Sequence, residues 1–257
     1  MKKILITGAR SGIARALIER LKKKDYIIYA STHTNKESNI LKRIYKDYDD
    51  VIPFKLDMKD TEDIKVINSL EIDILFCNAS MNNAGNLIEM DIDKLKENYE
   101  VNVFGTMTLI QYFLKNNINK NGKVIIMSSL SGIIPLKFIG GYSSTKASLI
   151  KIAEILKMEL SMLGSKIKVC LIEPGLYYTG FNEYMFMQKS SKSSYFDKVI
   201  NIMKLEEYVI SNILSKRNLD SIVNKIESAI RSNNPRFIYR APFIDVLVSK
   251  LYSIIKG

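Results

Sequence analysis

Tyr142 and Lys146 stand four residues apart in Tyr142-Ser143-Ser144-Thr145-Lys146, a spacing that puts a phenol and an ammonium on one face of a helix. A cation held there favours phenolate and lowers the phenol pKa toward neutrality, which makes the tyrosine a usable proton donor and acceptor. Spacing alone does not single out this pair, because the chain has 14 tyrosines and Tyr252 with Lys256 repeats it. Ser129 separates the two. It lies thirteen residues before Tyr142, at the end of the run Lys123 to Ser128 that reads as a strand, so its hydroxyl reaches the carboxyl edge of a sheet, where ligands bind. A polar strand end is the plainer reading of Ser128 and Ser129, and their spacing to the tyrosine argues against it.

A second chemical feature opens the chain. Thr7 is followed by Gly8, Ala9, Arg10, Ser11, Gly12 and Ile13, directly after a short apolar run and directly before a helical stretch. A glycine-rich turn between strand and helix brings backbone close to a pyrophosphate, and the helix N-terminus offers free N–H groups and positive dipole. The next strand ends Tyr29-Ala30-Ser31-Thr32-His33, without the acid that commonly takes the ribose 2′-hydroxyl of NAD. Arg10, with Thr32 and His33 nearby, suits a 2′-phosphate instead. NADPH/NADP+ is therefore the favoured cofactor, with NADH/NAD+ as the alternative.

These groups need a sheet to hold them. Apolar runs rich in β-branched residues fall at about 3–7, 26–31, 51–56, 72–77, 122–128, 166–172 and 236–240, alternating with helical stretches at Ile13 to Lys23, Lys36 to Lys46, Asp91 to Lys115 and Tyr142 to Leu163. That alternation predicts an α/β fold: a Rossmann-like doubly wound sheet of about seven mostly parallel strands. With no internal repeat or linker, residues 1–257 are expected to form a single domain. Residues at about 177–204, containing the Lys- and Ser-rich patch Gln188 to Tyr195, follow a strand where such sheets carry lids. The segment 242–256 is amphipathic, with Phe243, Ile244, Leu247, Val248, Leu251, Ile254 and Ile255 on one face and Asp245, Ser249, Lys250, Ser253 and Lys256 on the other. Such a face packs on its own domain, on a second subunit or on a membrane surface.

Composition narrows the function classes. Cys77 and Cys170 are the only cysteines, both inside apolar runs, and with the single histidine they build no metal site. The formal charge of +11 is spread along the chain rather than gathered into a block, which reads as a lysine-rich surface and not a nucleic-acid site. The N-terminus lacks the apolar core of a signal peptide, and no stretch approaches a membrane span; a cytoplasmic protein is expected.

Together these motifs resemble the short-chain dehydrogenase/reductase family over nearly the whole chain. Thr7 to Ala14 is similar to the family's glycine-rich turn, with Ala14 in place of the last glycine. Asp57, followed by Met58, resembles the acid that holds the adenine. The literal Asn82-Asn83-Ala84-Gly85 is set aside as a decoy, because the family's Asn-Asn-Ala-Gly directly follows the fourth strand, and here that place holds Cys77-Asn78-Ala79-Ser80. Asn78 and Ala79 are thus placed near the cofactor. Pro174, Gly175, Tyr177 and Thr179 resemble the segment that meets the nicotinamide carboxamide. The resemblance implies hydride transfer to a carbonyl carbon, with Tyr142 donating the proton, Ser129 polarising the oxygen, Lys146 holding the nicotinamide ribose and Asn102 fixing a water that links Lys146 to solvent. It implies a small-molecule carbonyl or alcohol substrate, and a homodimer or homotetramer is expected. The amphipathic tail adds a lipid-like or lipid-linked substrate and weak peripheral membrane contact as expectations. The alternatives are a dinucleotide-sensing regulator without turnover, which the intact catalytic set argues against, and a sugar epimerase or dehydratase, for which the chain leaves little room.

Overall fold

The computed structural model describes residues 1–177, 179–181, 195–196 and 218–256. Most of the lid candidate lies outside these residues, as do Tyr178 and the side chains of Val248, Ser253, Ile254, Ile255 and Lys256.

Seven strands, β1 (Lys2–Ile6), β2 (Tyr26–Thr32), β3 (Val51–Lys55), β4 (Ile74–Cys77), β5 (Lys123–Met127), β6 (Lys168–Pro174) and β7 (Ile238–Ala241), form one parallel sheet in the order β3-β2-β1-β4-β5-β6-β7. The strands read as near-continuous apolar runs because helices cover both faces. One face buries Ile4, Ile6, Phe76, Ile125 and Ile172 with α1 (Gly12–Leu21). The other buries Leu5, Leu75, Val124, Ile126 and Leu171 with α5 (Thr106–Asn117) and α6 (Gly140–Met162). The period of two along each strand deals alternate side chains to the two layers. Cys77 and Cys170 are buried here, and burial raises both thiols, Cys170 to about 11, so they are packing groups.

The chain turns from one direction of travel to the other between β1 and β4, which opens a crevice at their carboxyl ends. Thr7 closes the floor: its hydroxyl accepts the Asn78 and Ala79 amides at 2.9 Å each.

The expected continuous helix from Asp91 to Lys115 is interrupted. α4 (Ile92–Tyr99) runs into a π-helical turn, Glu100–Gly105, before α5 begins. Asn102 accounts for the break: its Oδ1 accepts the Met81 amide at 2.7 Å and its Nδ2 donates to the Met81 carbonyl at 2.9 Å. This two-point bond to a segment outside the helix draws one residue out of the regular ladder.

Beyond α2 (Asn35–Ile44) and α3 (Thr61–Lys65), two helices follow β6 among the described residues: α7 (Asp220–Arg231) and α8 (Phe243–Lys256). Buried Lys123 caps the end of α7, donating to the carbonyls of Ala229, Ile230 and Ser232, a cation placed where carbonyls and dipole are negative. Fully buried Glu173 pairs with Arg240 and joins β6 to β7. Of the three settings open to the amphipathic tail, its own domain does not cover the described part of the α8 apolar face. Phe243, Ile244, Leu247 and Leu251 are exposed, at 82%, 55%, 42% and 52%, while Ser249 is buried. Among its described residues, the helix turns its apolar stripe outward.

Candidate active site

The crevice is a cavity of about 450 Å³, bordered at one end by the glycine turn and at the other by Ser129, Tyr142 and Lys146. Gly8 is required at its place: its φ is +63°, and a Cβ there would lie 2.8 Å from the Ala79 Cα. The turn leads into α1, whose N-cap Ser11 accepts the Ala14 amide at 3.4 Å. The next amides, of Gly12 and Ile13, have no partner within the helix at its first turn and border the cavity. Asn78 sits against this turn, its Nδ2 donating to the Thr7 carbonyl at 2.8 Å and to the Ser11 hydroxyl at 3.1 Å. Thr179 closes the far side, with its Cβ 3.0 Å from where a Gly12 Cβ would stand. This cradle fits the pyrophosphate of a dinucleotide: backbone donors, helix dipole and no side chain in the way.

The cavity brings together Gly8, Arg10, Ser11, Gly12, Ile13, Thr32, His33, Asp57, Met58, Asn78, Ala79, Ser129, Tyr142, Lys146, Pro174, Gly175, Tyr177 and Thr179. Ala9 is not at its wall. It is fully buried in the core, where its amide bonds the Ser31 carbonyl at 2.8 Å. Asn102 is also withdrawn, at 0% exposure. Its side chain is engaged by Met81, by the Ser80 hydroxyl at 3.0 Å and by Thr145 Oγ1 at 3.0 Å, so it meets α6 between Tyr142 and Lys146 rather than at either one.

At the adenine end, Thr32 turns its hydroxyl to the Thr34 carbonyl at 3.2 Å, and His33 Nε2 lies 3.2 Å from Asp57 Oδ2. Arg10 is in an ion pair with Glu37 at 3.0 Å, and Glu37 borders the cavity too. This acid stands five residues beyond the end of β2, where the sequence shows none at the strand end itself. The available signal was Thr34-x-x-Glu37: Thr34 caps α2 by accepting the Glu37 amide at 3.2 Å, a capping pattern that puts Glu37 on the first turn.

At the chemical end, Tyr142 and Lys146 project from the first turns of α6 into its buried face, followed by Leu149, Ala153, Leu156 and Leu160 at helical spacing. The Ser129 hydroxyl lies on the Tyr142 side of the cavity, where it donates to the Pro174 carbonyl at 3.4 Å and accepts the Ser131 amide at 3.1 Å. Lys146 Nζ donates to the Met127 carbonyl at 2.9 Å and stands 5.4 Å from the Tyr142 ring centroid. The expected lowering of the phenol pKa is reversed here. Burial pushes the Tyr142 phenol upward, moderated by the nearby Ser129 hydroxyl; the same burial depresses Lys146 to about 7. Desolvation acts on both groups, since each is taken out of water in the same wall.

Two further residues belong to this end. Phe181 meets the Tyr142 ring edge-on at 5.7 Å. Asn82, from the motif set aside, is buried and donates to the Phe181 carbonyl at 2.6 Å. Asn82 and Asn83 therefore border the cavity on the side away from the glycine turn, and the Gly85 amide bonds the Phe138 carbonyl at 2.9 Å.

Comparison with known proteins gives one family and several relatives. The family model described as short chain dehydrogenase matches residues 2–190. A protein named NADPH-dependent 3-dehydrocapnine reductase, from Ornithobacterium rhinotracheale, is 29% identical over 186 residues, 68% of this chain and 65% of its own length. A 3-ketodihydrosphingosine reductase from Bacteroides thetaiotaomicron is 26% identical over 250 residues, 96% of this chain and 90% of that one. Among solved structures, a short-chain dehydrogenase from Streptomyces avermitilis shares the fold with a TM-score of 0.79 at 22% identity, over 99% of this chain and 94% of its own.

Proposed function

Starting from the fact that this chain belongs to the short-chain dehydrogenase family of NAD(P)-dependent oxidoreductases, we propose that it reduces a ketone on a lipid-like substrate with NADPH, Tyr142 being the proton donor. The observation that carries this reading is the gathering of Ser129, Tyr142 and Lys146 in one cavity with the glycine turn.

A bound nicotinamide dinucleotide would supply the hydride. Gly8, Gly12, Ile13 and Asn78 would hold its pyrophosphate end, Arg10 and His33 its adenosine phosphate, and Pro174 to Thr179 its nicotinamide end. Tyr142 is a neutral phenol at neutral pH, as any tyrosine is, and burial holds the proton more firmly still; this is the form a proton donor needs. Its hydroxyl would give its proton to the substrate oxygen while Ser129 donates a hydrogen bond to that same oxygen. The phenolate left behind is stabilised by a proton on Lys146, a group poised near neutrality and so able to take or release one. Asn102 would act at one remove, holding Thr145 and hence the first turns of α6.

Two observations support a lipid-like substrate. The two named relatives are reductases whose names give 3-dehydrocapnine and 3-ketodihydrosphingosine as their substrates, the second a sphingosine derivative. The outward stripe of α8 suits a membrane surface, where such a substrate would reside, and the charge of +11 favours anionic headgroups. NADPH oxidation should be followed with a short water-soluble ketone and with 3-keto compounds of increasing alkyl length. The reading expects kcat/KM to rise with chain length. A flat response removes the lipid-like substrate, and no oxidation with any ketone removes the reductase.

A further inference from the structure

We infer that Asp245, on the first turn of α8, is a positioning residue that clamps the loop Pro174–Tyr177 in the shape the nicotinamide end of the cofactor requires. This rests on the oxidoreductase reading above. Each of four successive loop residues is tied to a different place. The Pro174 carbonyl accepts the Ser129 hydroxyl at 3.4 Å, and the Gly175 amide donates to Ala241, at the end of β7, at 2.8 Å. The Leu176 amide donates to Asp245 Oδ2 at 2.9 Å, and the Tyr177 hydroxyl shares a hydrogen with Ser221 of α7 at 2.7 Å. Asp245 is the charged one of these anchors, so its bond is the strongest in kind.

Gly175 is shaped to this contact. A Cβ added there would fall on the Asp245 carboxylate and lie 2.7 Å from the Asp245 Cβ. The glycine thus makes room for an acid that arrives from 69 positions beyond Leu176. The loop it braces borders the cavity through Pro174, Gly175 and Tyr177, and α8 also packs on the one-turn helix Leu130–Gly132 that follows Ser129. Asp245 accordingly holds the cofactor loop, and the helix that carries it abuts the turn that follows the serine. A surface acid on an amphipathic tail would hold no such loop.

The test uses the full chain and three variants. In Asp245→Ala the Leu176 amide should exchange with solvent deuterium at least about 10-fold faster in the ligand-free protein, as expected for loss of a charge-assisted bond. NADPH titration should show affinity reduced by a similar factor, with kcat at saturating NADPH changed less. Asp245→Asn keeps an acceptor oxygen and should restore both readouts to within about threefold, while Gly175→Ala should reproduce the alanine defect. Thermal unfolding accompanies each variant. Unchanged Leu176 exchange in Asp245→Ala, or no rescue by Asn in a protein that melts like the parent, overturns the clamp. Failure of the parent chain itself to bind NADPH or NADH would instead refute the oxidoreductase reading, and the exchange result would stand apart from it.

Discussion

Replacing Lys146 by methionine should make the ligand-free protein more stable while abolishing its turnover. Lys146 is 1% exposed, and its one named hydrogen bond runs to the Met127 carbonyl. Burial takes its pKa from 10.5 to about 7. At about 1.4 kcal/mol per pKa unit this corresponds to an upper bound of about 5 kcal/mol against folding. The sign follows from proton counts. Between about pH 7 and 10.5 the unfolded chain keeps the lysine proton and the folded one has lost it, so stability rises with pH across that window. Below it both states are charged and the full penalty applies. Methionine has a similar reach and no charge, but it removes a donor from the Met127 carbonyl at a cost of about 1–2 kcal/mol. The net gain at about pH 6 is therefore at most about 3–4 kcal/mol, or about 6–16 °C in Tm for a chain of this size, and it should vanish by about pH 10. Thermal unfolding of both proteins across this range measures it, because groups other than Lys146 cancel in the difference. A variant less stable than the parent at about pH 6, or an advantage that does not shrink as pH rises, would refute the reasoning.

Tyr142→Phe should leave NADPH affinity nearly unchanged and lower turnover by roughly 100-fold or more, read from initial rates and cofactor titration. Ser129→Ala should impair turnover and Tyr252→Phe should not; equal losses in the two would mean that the wrong tyrosine has been assigned. Arg10→Ala should weaken NADPH by roughly 10-fold and NADH much less, whereas Glu37→Gln, by releasing Arg10 from a half-exposed ion pair, should tighten NADPH by no more than about fivefold. Exchanging Phe243, Leu247 and Leu251 for serine should abolish co-sedimentation with anionic vesicles and leave the reduction of a soluble ketone unaltered, since these side chains face outward.

The sheet was legible because its strands are buried on both faces, so the apolar runs at 26–31, 51–56 and 122–128 coincide with β2, β3 and β5 to within about a residue or two. The glycine turn was legible for a related reason: Gly8 answers a local demand, a positive φ pressed against the Ala79 backbone. The order of Asn78 and Asn82 could be read as well, since the strand that precedes Asn78 fixes which asparagine reaches the turn and which is carried past it. The helix around Asn102 could not. Its side-chain pattern from Asp91 to Lys115 suits an unbroken helix, and the π turn comes from a bond to Met81, which periodicity does not register.

What escaped the sequence has a common cause, which is distance along the chain between partners that meet in or beside the cavity wall. Arg10 was read as a free cation for a phosphate, and its ion pair comes from Glu37, 27 positions away. Asp245 was read as part of a solvated face, and its amide partner is 69 positions back. The four-residue spacing of Tyr142 and Lys146 gives their closeness, 5.4 Å from Nζ to the ring centroid, but not the wall that β5 and Phe181 place around them. Attraction between two groups is local and scales with their separation, whereas desolvation is a property of everything packed nearby. The same fact prepares the site as proposed: the phenol holds its proton there as it would in water, whereas the amine gives its proton up near neutrality only because the fold has buried it.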